Sequence, residues 1–148
     1  MSFELSQFDL MGMSEDQKRA VLEAMVAAAW ADGNVSPAEA ARFEQELAKV
    51  PLAKDVATLQ QWAVAAREHF QTLKTKDAIL AHINGIAVRL PLPHIREKTL
   101  YHMGAVAFAG GKEGFLNQNE KNLLMAFTTA FGITKERFDL IGKQVMGK

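Results

Sequence analysis

The 148 residues contain no cysteine, so disulfides, zinc–thiolate centres and thiol catalysis are excluded. Net charge is missing too. Lys and Arg number 17 and Asp and Glu number 17, which leaves no bulk basic field to hold nucleic acid or anionic lipid. The longest apolar run, Ala24–Ala31, is far short of the roughly 20 residues needed to cross a bilayer. Met1–Leu10 carries Glu4 and Asp9 and no basic side chain, the reverse of a secretory leader, so the expected compartment is the cytoplasm. Period-two alternation and clustered β-branched residues are scarce, which argues against a sheet. Hydrophobic residues make up 49% of the chain, enough to exclude disorder and build a core at this length.

The remaining pattern is helical, and its punctuation brackets about seven helices in a single all-α bundle. Ser14, with Gln17 at the capping-box position, opens the first, which carries Val21, Leu22, Met25, Ala28 and Ala29 as its stripe and stops at Gly33. Ser36 and Pro37 open the second, whose stripe is Ala40, Phe43, Leu47 and Val50. The third starts near Asp55 and the fourth follows a break near Thr75. The fifth runs from Pro93 to about Ala109, the sixth starts at Asn117, and the seventh is capped by Thr134. Residues 1–13 form an apolar N-terminal arm through Phe3, Leu5, Phe8, Leu10, Met11 and Met13. The arm is expected to pack on the helical domain of residues 14–148, on a protein partner or on a second copy.

Two helix ends echo each other. Ala27–Gly33 parallels Ala105–Gly111, and Val35–Glu39 parallels Leu116–Glu120 after a longer loop. Each copy is a small-residue helix, a glycine turn and a capped helix with Glu at its third position. This predicts two pseudo-symmetric hairpins whose Ala and Gly faces approach closely. Asp32 lies on the inward stripe at a helix C-terminus, where the macrodipole disfavours an anion, so it needs a compensating group. Glu39 and Glu120 each head an apolar stripe. Both admit a plain reading, a capping glutamate that stays partly solvated, and Asp32 admits an Asx-type turn with Gly33. The sharper reading brings the hairpin ends together so that these oxygens hold a divalent cation. Hard oxygen donors favour calcium, magnesium or manganese.

The segment Ala31-Asp32-Gly33-Asn34-Val35-Ser36-Pro37-Ala38-Glu39 resembles the Ala-Asp-Gly-x-(Ile/Val)-Ser-x-x-Glu signature of the TerB-like, tellurite-resistance family. The echo at Ala109–Glu120 falls where that family repeats the signature, and the resemblance extends from about Ser14 to Ile141. It implies an all-helical bacterial cytoplasmic domain that binds divalent metal through clustered acidic residues and serves stress responses without a known catalytic reaction. Asp32 and Glu39 match the first motif and Glu120 the second. Gly110 replaces the second aspartate. Glu113 and Asn117 are the oxygen donors the longer loop offers in its stead, while Lys112 is a rival for the cation's place.

Other motifs are poor. His69, His82, His94 and His102 show no HExxH or i, i+4 spacing and read as surface or boundary residues. Gly110–Gly114 fails as a phosphate loop because Val106 stands at the first glycine position and Glu113 follows Lys112. Trp30 and Trp62 fall on apolar stripes and read as core. With no set of nucleophile, base and orienting group, no enzyme is expected. The alternative to a cation module is a metal-free helical interaction module.

Overall fold

The computed structural model describes residues 2–31, 35, 37–110 and 118–147, apart from the side chains of 39, 109 and 110. Among the described residues there are eight helices and no strand. α1 (Gln7–Met11) lies within the arm, and its Ser6 cap and Asp9 form a reciprocal capping box. α2 (Glu15–Ala29) begins at the expected Ser14–Gln17 box. α3 (Pro37–Lys49), α4 (Val56–Gln71), α5 (Lys76–Arg89), α6 (Pro93–Gly110), α7 (Gln118–Phe131) and α8 (Lys135–Val145) follow. Side-chain oxygens of Asp55, Thr75 and Thr134 cap α4, α5 and α8. At the end of α7, Gly132 takes φ 70°, and the Gly132 and Ile133 N–H groups return to the Thr129 and Thr128 carbonyls. A left-handed residue closed by those two bonds is a Schellman stop, which any side chain would strain.

α6 is the central post. From Thr99 to Ala107 every residue but Tyr101 is buried. α2, α3, α7 and α8 all pack against it. The buried face of α2 is alanine-rich, with Ala20, Ala24, Ala27, Ala28 and Ala29 at most 2% exposed, which lets two backbones approach closely. Gly104 does the same for α8: a Cβ there would sit 3.0 Å from Val145 Cγ2. The hairpins α2–α3 and α6–α7 are thus present and α2 lies on α6. Their symmetry is partial, because α3 packs broadly on α6 while α7 turns mainly to α5 and α6.

The arm belongs to this body. Phe3, Leu5, Leu10 and Met13 are buried, whereas Phe8 and Met11 are 87% and 82% exposed. Phe3 N–H donates to Gln144 Oε1 (3.1 Å), and the Arg137 guanidinium covers the Phe3 ring at 5.4 Å. No helix among the described residues is long and apolar enough to cross a membrane.

Candidate functional site

The hairpin ends are the site that sequence reasoning points to. Asp32, Glu113 and Asn117, with Lys112, lie outside the described residues, as does the side chain of Glu39. Glu120 is described. It sits in the first turn of α7, where the helix dipole favours an anion, and it is only 2% exposed. A capping glutamate in its usual solvated position would not be so enclosed. At the end of α2, Trp30 is the C-cap residue and meets Phe43 of α3 edge-on at 5.4 Å, while Arg67 of α4 lies 5.9 Å above the indole. Both tryptophans are half-buried against the core, as their stripes imply. Among the described residues no group of three or more His, Asp or Glu side chains is gathered as a metal-binding set.

A second polar centre was not foreseen. His102 is 0% exposed, so it is neither a surface nor a boundary residue, and Glu46 beside it is 1% exposed. His102 Nδ1 donates to Glu46 Oε2 (3.1 Å), and His102 Nε2 accepts the Leu5 N–H (3.1 Å). The backbone N–H can only donate, so Nε2 carries no proton and the ring is the neutral Nδ1–H tautomer. Burial would raise the Glu46 pKa, but the His102 and Lys49 hydrogen bonds and the Lys49 charge outweigh it and hold the carboxyl below its ordinary value. Lys49 Nζ is 3.2 Å and Arg42 Nε 3.6 Å from Glu46 Oε1. The signal was in the stripes. Glu46 continues Phe43, Leu47 and Val50, and His102 continues Ile95, Thr99 and Val106, at three- and four-residue steps.

The other histidines lie where expected. His69 and His94 are exposed and His82 is half-buried, its pKa lowered chiefly by burial. The rings of His69 and His82 lie 5.2 Å apart. Two apolar grooves mark the surface. One of about 490 Å³ runs between α3 and α4 over Trp30, Phe43 and Leu59, and one of about 600 Å³ runs between α6, α7 and α8 over Phe108, Leu124 and Phe138. Neither contains a nucleophile paired with a base, and His102 spends both ring nitrogens on structural bonds.

Comparison with curated proteins and with solved structures returns no match. One family model does match. It covers residues 6–84, a little over half of the chain, with the helices that carry the first hairpin and Glu46. The chain belongs to this family, DUF533, described as a protein of unknown function.

Proposed function

We propose that the chain is a non-catalytic, cytoplasmic module of the TerB-like stress-response type, in which the two hairpin ends hold a divalent cation. The candidate ligands are Asp32, Glu39 and Glu120, with Glu113 and Asn117 as supplementary donors from the longer loop. The burial of Glu120 at 2% exposure carries the reading. Glu120 is an inward-facing oxygen donor in the first turn of α7, at a hairpin end. An all-oxygen donor set fits calcium, magnesium or manganese. Such an ion would crosslink the ends of α2–α3 and α6–α7 and favour one arrangement of the bundle. The chain's own contribution is to fix the approach of the two hairpins through the alanine face of α2 against α6.

The test is thermal unfolding in chelator against millimolar calcium, magnesium or manganese, for wild type, Asp32→Ala and Glu120→Gln. At about a hundredfold excess over Kd, a bound ion adds about 2.7 kcal/mol, a rise of several degrees in Tm. Wild type should show that rise and both variants should lose it. No shift in wild type sinks the proposal, and an equal shift in Asp32→Ala removes that residue from the ligand set.

A metal-free interaction module is the second reading. The exposure of Phe8 and Met11 favours it, as do the two apolar grooves elsewhere on the surface. It gains ground if metals leave the melting curve unchanged while a partner protein or a second copy protects those residues.

A further inference from the structure

His102 joins three parts of the chain. Its ring sits on α6, receives the Leu5 N–H of the arm on Nε2 and gives its Nδ1 proton to Glu46 on α3. The only place left for a second proton is Nε2. There it would point at the Leu5 N–H, donor against donor, with both groups buried. Protonation of His102 and docking of Leu5 therefore exclude each other. The structure assigns to this contact the role of an acid-released latch: proton uptake by His102 frees the Leu5 stretch of the arm from the α3–α6 face.

The surroundings make the latch specific. Glu46 accepts from Nδ1 in either ring state, so an imidazolium keeps its carboxylate partner while Leu5 loses its acceptor. From α3, Glu46 favours the added charge, and Lys49 and Arg42 oppose it from the far side of the carboxylate. Glu4 of the arm, with Lys49, Leu5, Val50 and His102, lines a small cavity through which a proton and water can enter. On α6 the neighbour is Tyr101, whose ring meets His102 at 5.2 Å and whose hydroxyl stays protonated because burial raises its pKa, with Glu4 and Glu46 adding to the effect. The buried face of α2 against α6 is wholly apolar. Further along, α1 stays tied because Asp9 is held by Lys98 and faces His94, contacts that acid above the carboxylate range leaves in place. Release is thus confined to the stretch around Leu5, between α1 and the Phe3 contacts with Gln144 and Arg137 of α8.

Because the docked state refuses the proton, the open state gains with each fall in pH until the freed ring is charged. The experiment is amide hydrogen exchange of the full chain from neutral to mildly acidic pH, corrected for the intrinsic pH dependence, with imidazole nitrogen resonances read on the same samples. Protection of Leu5 should be lost as the second proton appears on His102, while amides within α2 and α6 stay protected. His102→Gln can accept from Leu5 and donate to Glu46 without titrating, so its Leu5 protection should not respond to pH. Charging of His102 in wild type with Leu5 still protected would overturn the latch. So would protection that persists until the carboxylates of Asp9 and Glu46 themselves protonate, or an unchanged pH response in His102→Gln. Should that variant fail to fold, the coincidence of the two wild-type readouts decides alone.

Discussion

Lys98 Nζ lies 2.6 Å from Asp9 Oδ2, joining the central helix to the short helix of the N-terminal arm. Asp9 also accepts from the Ser6 N–H at 2.8 Å, so one carboxylate caps α1 and anchors it to α6. Both side chains are largely enclosed, with Asp9 10% and Lys98 19% exposed, and an enclosed charge-assisted bond is worth more than a surface pair. Lys98→Ala should lower stability by about 1–3 kcal/mol, measured by urea unfolding. It should also loosen α1 in exchange experiments while α7 and α8 keep their protection.

Two carboxylates set the acid limit of the fold. Burial alone would raise the pKa of each, but hydrogen bonds and cationic neighbours leave Asp9 and Glu46 below their ordinary values of 3.8 and 4.5. A depressed folded-state pKa gives stability that is complete above the unfolded value and is lost as pH falls through the folded one. Stability should therefore hold down to about pH 5 and decline below about pH 4. Glu46→Gln should flatten that acid limb in a denaturant series taken against pH.

Arg96 gathers three backbone carbonyls at the ends of two helices. Its Nε donates to Leu90 O (2.5 Å), one terminal nitrogen to Ala87 O (2.7 Å) and the other to Phe131 O (3.1 Å). The ends of α5 and α7 are thereby fastened to the start of α6 by one planar fork. Arg96→Lys cannot reproduce the fork and should cost about 2 kcal/mol in chemical denaturation. A lysine that retains full stability would show the charge, not the geometry, to matter.

Gly104 is a contact of shape. An alanine there must push Val145 by a few tenths of an ångström, and a leucine carries the same Cβ with more bulk behind it. Gly104→Leu should lose about 1–3 kcal/mol through overpacking. Val145→Ala combined with it should recover much of that loss, which a double-mutant cycle measures directly.

Phe8 and Met11 add nothing to the core. Phe8→Ser with Met11→Gln should change stability by less than about 0.5 kcal/mol. If their exposure serves a partner surface, the double variant should keep its melting temperature and lose that association in size-exclusion or pull-down measurements.

Much of the fold was legible because caps are local chemistry. Ser14, Asp55, Thr75 and Thr134 each accept from the N–H three residues on, as their identities foretell. α1 was not separable from the arm. Its Ser6–Asp9 box spans a single turn, and its stability comes from Lys98, a residue distant in sequence. α6 hides its packing for a different reason. Helices surround it on several sides, so it carries no single apolar stripe, and a buried histidine among apolar neighbours resembles one at a boundary. At the candidate cation site, spacing brought out Glu120 as an inward residue, and the described structure agrees. The buried pair Glu46 and His102 needed the fold, because only the meeting of α3 with α6 turns two unremarkable stripe residues into a hydrogen-bonded unit.

The central position of α6 bears on where the family's common stretch ends. Residues 6–84 stop within α5 and exclude the post against which α2 and α3 lie. Cut to that stretch, the chain would present the alanine face of α2 to water and leave Glu46 without its histidine. The matched portion is therefore half of a shell whose filling must come from whatever helix follows it. In this chain that filling is α6, a helix buried nearly all round that lies wholly outside the matched stretch.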